Sequence, residues 1–374
     1  MKTLIENAIN LSNVKNYSDN IDTAIDNAKK DIVEQAKKYK NNTLSSQTGF
    51  VAESVHVGSF NIDSAFKRSS LKAVKEKNGF HGDYKVLDGK KIVAKGEFKH
   101  YNNAQQTENA MRGYDNRDLV GPSDQMKEVK DIAKRKALKN KTTRPDVAKE
   151  HQKVYKKSTD SIKKDNVSSK PKTLKKQKKI TKKATKGKVD SAELLPDFKD
   201  SVKSAAIGGA IEGAKTGAIF GGGMSAISNF IDVIDGKKDT EEAVKDVAIE
   251  TVKSTADCAI KNVAGSVAKA TSTHLAQKVA SQGVKRVMGS AAPIIVATVL
   301  VDTCKDVYKC ANGEIDGETV VKNTGKNVAT AGGAWAGAEG GAVVGAMVGG
   351  PAGAVIGGFI GGVAGALGIS SLFD

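Results

Sequence analysis

Nine glycines fall at one residue in four from Gly333 to Gly365, through Gly337, Gly341, Gly345, Gly349, Gly353, Gly357 and Gly361. Residues four apart share a helix face, so this spacing draws a groove free of side chains and lets a second backbone come close. Glycine costs roughly 1 kcal/mol relative to alanine inside a helix, so close packing has to offset the pattern. Val343, Val344, Met347, Val355, Ile356, Phe359, Ile360, Val363 and Leu367 add an apolar face that a flexible Gly/Ser linker lacks. The last charge before the terminal Asp374 is Glu339. The spacing therefore predicts a tail that enters a membrane or associates with copies of itself. Gly349-Gly350-Pro351 divides it into halves of about 18 residues, near the lower limit for crossing a hydrocarbon core at about 1.5 Å per residue. A helical hairpin is the expected form.

Charge is distributed as unevenly as glycine. The formal net charge is +17, from 59 Lys+Arg against 42 Asp+Glu, and ten lysines with no acid lie between Lys170 and Lys188. Such a run reads as a solvated linker that is drawn to any polyanion, DNA phosphates or anionic lipid headgroups included. It carries no interleaved aromatics, which argues against base stacking. Cys258, Cys304 and Cys310 have neither CxxC spacing nor histidines placed as metal ligands, so no disulfide framework or zinc site is expected. No glycine-rich stretch has the GxxxxGK[ST] spacing of a phosphate loop. The N-terminal residues are polar and acidic rather than basic and then apolar, so the expected location is the cytoplasm with membrane association, without a signal peptide.

These shifts divide the chain into a helical arm at 1–46, an α/β region at 47–162, a lysine-rich linker at 163–191 and a helical glycine-zipper region at 192–374. The expected fold class is α+β. In the arm, Leu4, Ile5, Ala8, Ile9, Leu11 and then Ile21, Ala24, Ile25, Ala28, Ile32 recur at three and four. In the α/β region, strands are expected at His81–Leu87 and Lys91–His100, joined by Leu87-Asp88-Gly89-Lys90. Helices are expected at Ala104–Met111 and Asp124–Lys139, the second opened by Pro122-Ser123-Asp124. The stretch between Asn61 and Phe80 looks short for a core strand. Gly209, Gly213, Gly217 and Gly221 repeat the four-residue glycine period, and Ala291–Val301 is an apolar run too short to span a membrane.

The hairpin is the most chemical-looking part. Period two places Glu97 and Lys99 on one side of their strand, with Asp83 near the start of the preceding one. Two adjacent carboxylates can hold Mg²⁺, and a lysine beside them can orient or deprotonate an attacking water. The order of a helix with a glutamate, Asp83, Glu97-x-Lys99 and a helix with glutamine resembles the PD-(D/E)XK restriction-endonuclease-like nucleases. Thr48-Gly49-Phe50-Val51-Ala52-Glu53 is similar to the helical start of that fold. The resemblance covers about residues 47–140 and implies a Mg²⁺-dependent nuclease core. Asp83 and Glu97 would be its metal ligands, Lys99 the water-orienting base, Glu53 the helix-borne acid, and Gln105 or Gln106 the following glutamine. No proline precedes Asp83. Thr48–Glu53 and Pro122-Ser123-Asp124-Gln125 also resemble bacterial proteins of unknown role. Of the five histidines, His56, His81 and His100 fall near the site in sequence, and His56 and His100 are candidates to support it or, alternatively, packed or surface side chains; His151 and His274 lie apart.

The expectation is a nuclease-like effector of bacterial defence, toxin or mobile-element type, acting on DNA through phosphate contacts and coupled to a membrane-associating, oligomer-forming helical region. Two other functions fit the same residues. One is a non-enzymatic pore-forming protein with a recognition domain, and the other is a structural nucleic-acid-binding protein of a virus or mobile element.

Overall fold

The computed structural model describes residues 2–76, 82–115, 117–234 and 239–276, with scattered positions between 301 and 327. The glycine run from Gly333 to Gly365, Ala291–Pro293 and the rest of that apolar run before Val301, His81, Cys304 and Cys310 lie outside the described residues. The chain forms two compact units, one of residues 20–197 and one of residues 1–19 with 198–374.

Helix α1 (Lys2–Lys38) is a single helix of 37 residues. In the 20–197 unit its Ile21, Ile25, Ala28, Ile32 and Ala36 are buried, repeating at three and four. Helix α2 (Leu44–Phe66) follows, opened by Thr43, whose hydroxyl accepts from Ser46 N at 3.3 Å. Gly58 is the contact point of the two helices, since a Cβ there would lie 2.6 Å from Ala28 Cβ. Strands β1 (Leu71–Lys75), β2 (Tyr84–Asp88) and β3 (Lys91–Phe98) form an antiparallel meander. Helix α3 (Ala104–Ala110) leads to β4 (Asp118–Val120), parallel to β3, and α4 (Met126–Lys139) and α5 (Pro145–Lys157) lead to β5 (Ser158–Thr159), parallel to β4. The strand order is β1-β2-β3-β4-β5.

Two apolar clusters hold this sheet between helices. Phe60 of α2 packs with Leu71, Tyr84, Val86, Phe98 and Val120, while Leu119 of β4 packs with Met111, Met126, Val129, Ile132, Ala133 and Val154. Leu119 and Val120 are adjacent in β4 and belong to different clusters, as alternation along a strand requires. Phe60 is fully buried, so Phe60→Ala would cost about 3–5 kcal/mol.

The mixed sheet with several helices is compatible with the expected α+β class. The expected hairpin is present, with Asp88 opposite Lys91 and Gly89 at φ 58° in the turn. Three details differ from expectation. The stretch before Phe80 does hold a strand, β1, whose Leu71 and Ala73 are buried. Asp124 does not cap α4, which starts after Gln125; its Oδ1 accepts from Leu174 N at 2.9 Å.

The third difference is the lysine-rich stretch 163–191, which is folded rather than a linker. A small hairpin, β6 (Lys163–Lys164) and β7 (Val167–Ser168), is followed by α6 (Leu174–Ala184). Helix α6 buries Leu174, Gln177, Ile180, Thr181 and Ala184. These residues sit at helical spacing between the lysines and dock on α2, so the helix holds one apolar face and turns its ammonium groups to water.

The second unit contains α7 (Phe198–Ile234) and α8 (Thr240–Ala276), packed along one another. A Cβ at Gly209 would lie 2.7 Å from the Asn262 carbonyl oxygen; Gly213 and Gly217 face the Cys258–Ala259 and Ser254–Thr255 backbones just as tightly. Successive glycines of α7 thus meet successively earlier residues of α8, an antiparallel zipper with no room for side chains. Asn13 Nδ2 of α1 donates to Thr216 Oγ1 of α7 at 2.7 Å. Polarity here is partly inverted: Ser254, Lys261, Asn262, Ser266 and Lys269 are buried, while Ile207, Ile211, Ile249, Val252 and Ile260 are exposed. Lys261 Nζ lies 3.0 Å from Asp257 and 2.7 Å from Asp302. No helix among the described residues is long and apolar enough to cross a membrane.

Candidate active site

Four side chains singled out from the sequence gather where α2 meets the ends of β2 and β3. Glu53 projects from α2 between Ala52 and Ser54, both buried. Asp83 precedes β2 and is fixed through its backbone, because its N–H donates to Gly96 O at 2.9 Å and its C=O accepts from Glu76 N at 2.9 Å. Gly82 before it has φ 116°, and a Cβ there would lie 2.8 Å from Gly96 O, so glycine sets the approach of this segment. The Asp83 side chain reaches across to β3, where Oδ2 accepts from Phe98 N at 2.7 Å.

Glu97 is buried at the end of β3, and Lys99 follows it by two residues. Lys99 Nζ lies 3.1 Å from Glu97 Oε2 and 3.9 Å from Asp83 Oδ2. Arg117, just before β4, pairs with Glu97 Oε1. The ring of Tyr114 lies under both cations, 4.5 Å from Lys99 Nζ and 5.9 Å from the Arg117 guanidinium carbon, within cation–π range. Lys75 Nζ, on β1, donates to Ser54 Oγ at 2.9 Å and to Asp31 Oδ1 at 2.7 Å.

Crowding of carboxylates in a partly dry site moves their proton affinities. Burial first, and then the Asp83 charge, push Glu53 up to about 8 against the pull of Lys75 and Lys99. Burial also raises Asp83, with Glu97 adding to the rise and the Phe98 N–H opposing it. Burial works to lower Lys99, but its hydrogen bond with Tyr114 and the two carboxylates outweigh this, and its pKa rises. Lys99 is therefore an ammonium at neutral pH, able to orient a water or a phosphate oxygen rather than to remove a proton. Glu53 is the carboxyl that keeps its proton at neutral pH and gives it up near pH 8.

Asp83 and Glu97 both lie within 4 Å of Lys99 Nζ, and Glu97 helps to raise the Asp83 pKa, so two carboxyl groups meet where a divalent cation would fit. Mg²⁺ takes one or two carboxylates and fills its remaining positions with water and phosphate oxygens, a donor set these two residues fit. No group of three or more His, Cys, Asp or Glu is arranged to hold a metal ion among the described residues.

Gln105 and Gln106 do not join this group. Both are exposed on α3, and Gln105 Nε2 donates to Asn109 Oδ1 at 3.2 Å. The buried glutamine nearby is Gln125, which accepts from Thr107 Oγ1 at 2.6 Å and donates to Tyr101 O at 2.9 Å. His56 and His100 are buried behind the strand end, their rings 5.8 Å apart. His56 Nδ1 lies 3.0 Å from Ser169 Oγ. Both nitrogens of His100 lack a hydrogen-bond partner among the described residues. His151 pairs with the buried Glu108 at 2.6 Å, and His274 lies 2.9 Å from Ser201 Oγ in the other unit. Cys258 is fully buried.

Arg117 and Tyr114 escape a reading of the sequence, since they come from the irregular segment between α3 and β4, where neither spacing nor periodicity marks a residue. Comparison with known proteins bears on the other end of the chain. No curated protein and no solved structure matches the chain. Residues 288–371 match the model of the YMGG-like Gly-zipper family, which supports the glycine-zipper reading of the C-terminal part.

Proposed function

We propose that the 20–197 unit is a Mg²⁺-dependent phosphodiester hydrolase of the PD-(D/E)XK kind, joined to a glycine-zipper region that brings it to a membrane or gathers copies of the chain. The observation that carries this reading is the convergence of Asp83, Glu97 and Lys99 from two strands onto Glu53 of α2. The helix with Glu53, the meander with Asp83 and Glu97-x-Lys99, and the helix after it come in the order that the resemblance implies.

Asp83 and Glu97 would hold the cation, which when bound supplies Lewis-acid stabilisation of a phosphoryl oxygen and a more acidic water. The protein's own groups divide the remaining work. Arg117 fixes Glu97 from one side, and the Phe98 N–H fixes Asp83 from the other. Lys99, permanently charged, orients the attacking water or steadies charge on the phosphate. Glu53, with its pKa near 8, is mostly protonated at neutral pH and is placed to donate a proton to a leaving group; it becomes a base only as pH rises past about 8.

The test is Mg²⁺-dependent nicking of plasmid DNA by the full chain beside Glu97→Ala. Cleavage that falls at least 100-fold in the variant supports the reading; absence of cleavage by the unaltered chain with Mg²⁺ or Mn²⁺, or unchanged cleavage by the variant, overturns it.

A second reading concerns the other unit alone. Exposed Ile207, Ile211, Ile249, Val252 and Ile260 beside buried Lys261 and Lys269 suit a lipid-facing or self-associating bundle with a polar interior. Acting without hydrolysis, such a bundle would make vesicles leak. Leakage that survives Glu97→Ala and is lost in Gly345→Leu with Gly357→Leu distinguishes this reading.

A further inference from the structure

We infer that the lysine face of α6 is a docking track for the phosphodiester backbone of a nucleic-acid strand, running toward Asp83, Glu97 and Lys99. The direction of the track and the choice of nucleic acid over anionic lipid rest on the hydrolase reading, whereas the cationic surface itself does not.

Three observations carry the inference. First, the lysines are presented by a folded helix. Burial of Leu174, Gln177, Ile180 and Thr181 fixes α6 against α2, so its ammonium groups project from a rigid element. Second, they line an open groove of about 640 Å³ walled by Lys175, Lys178, Lys179, Lys182, Lys183 and Lys186. Its acid, Asp124, has Oδ1 engaged by Leu174 N. Lys175, Lys179, Lys182 and Lys186 form no ion pair among the described residues, unlike Lys172, which holds Glu193 at 2.8 Å. A row of uncompensated cations in a groove raises the local concentration of polyanions.

Third, α6 packs on elements that also carry the site. Lys178 Nζ donates to Asn102 Oδ1 at 3.0 Å, three residues beyond Lys99. Gln177 Nε2 lies 3.4 Å from His56 Nε2, one turn along α2 from Glu53. A backbone lying on α6 thus has a phosphate within a few nucleotides of the carboxylates. The groove has no aromatic side chain in its walls, so contacts would follow phosphates and ignore sequence. Anionic lipid offers the same charge. A nucleic acid is favoured because the track ends at a site fitted to phosphodiesters.

The test measures binding of the full chain to fluorescent single-stranded and duplex 30-mers by anisotropy, in EDTA so that nothing is cut. One variant carries Lys175→Gln, Lys179→Gln, Lys182→Gln and Lys186→Gln. A control of equal charge carries Lys72→Gln, Lys90→Gln, Lys91→Gln and Lys156→Gln, all exposed. Thermal melts confirm that both fold. The α6 variant should lose at least tenfold in affinity, and its slope of log K against log salt should fall by about 3, at roughly 0.7–0.9 per phosphate contact. The control should stay within a few fold of the unaltered chain.

Equal losses in the two variants overturn the track, as does a loss of binding to phosphatidylserine vesicles by the α6 variant with oligonucleotide binding intact. If α6-dependent binding is found and Mg²⁺ yields no cleavage, the surface stands and the hydrolase reading falls. If Glu97→Ala abolishes cleavage while the α6 variant binds and cuts normally, the reverse holds.

Discussion

Lys99 Nζ lies 3.1 Å from Glu97 Oε2, two residues back along the same strand end, and 3.9 Å from Asp83 Oδ2. This places one cation against two carboxylates that would share a metal. The same ammonium then has opposite effects on metal binding and on reaction: it repels a divalent cation and steadies charge developing on a phosphate. Lys99→Met should therefore bind Mg²⁺ at least as tightly as the unaltered chain, read as a thermal shift titrated with Mg²⁺, while losing cleavage by about 100-fold or more. Glu97→Ala should lose both. Parallel loss of Mg²⁺ binding in Lys99→Met would show that the lysine merely holds the site's shape.

Glu53 makes a stability prediction with a definite sign. Its carboxyl is raised from the ordinary 4.5 to about 8 by burial and by Asp83, so the folded chain binds its proton more tightly than the unfolded chain does. Between about pH 4.5 and pH 8 this group makes folding less favourable as pH rises. Glu53→Gln should consequently melt higher than the unaltered chain at pH 8, with the gap closing toward pH 5. Mg²⁺ should stabilise the unaltered chain more at pH 8 than at pH 6, because the carboxylates must be charged to hold it. Melts at four pH values with and without Mg²⁺ decide the matter; a pH-independent difference would place the Glu53 effect elsewhere than in its charge.

The hairpin and its three charged residues were legible because their signals are local. Leu87-Asp88-Gly89-Lys90 marks the turn, and period two fixes Glu97 with Lys99. Glu53 was legible only through resemblance, since nothing in helix periodicity distinguishes an acid that faces a site from one that faces water. Strand β1 escaped notice because it is five residues with two lysines, and its identity comes from pairing with β2. Helix α6 was obscured by its own lysines: Leu174, Gln177, Ile180, Thr181 and Ala184 keep the helical period, but two of the five are polar and bury only because α2 receives them. Gln105 and Gln106 show the converse failure, a motif position satisfied in sequence with side chains that face solvent.

The α7–α8 zipper predicts a position-specific cost. At Gly213 an added Cβ would overlap the Cys258 carbonyl and Ala259 backbone, atoms that cannot move without separating the helices. Gly213→Leu should destabilise the 198–276 helices by about 1–3 kcal/mol or more, as overpacking does. Ala218→Leu, outside the α7 glycine repeat, serves as the comparison. Limited proteolysis should then cut Gly213→Leu within α7 or α8 at protease levels that leave the unaltered chain whole. Equal resistance would mean that the helices do not approach this closely.

Acid should loosen the 20–197 unit through His56 and His100. Burial lowers both to about 3, helped by Lys172 for His56 and by His56 and Lys99 for His100. Each is neutral in the fold, while in the unfolded chain each gains a proton below about 6.5. Their contribution is therefore constant above pH 6.5 and is progressively lost as pH falls toward 3. His100 adds a second cost, because both of its ring nitrogens are buried without a partner among the described residues. Replacing it by an apolar residue of similar reach removes the desolvated nitrogens and the acid sensitivity together. His100→Leu should accordingly match or exceed the stability of the unaltered chain at pH 7.5 and gain further at pH 5, measured by urea midpoints at the two values. A variant that is less stable at both, with an unchanged gap between them, would show that the imidazole is hydrogen-bonded in solution.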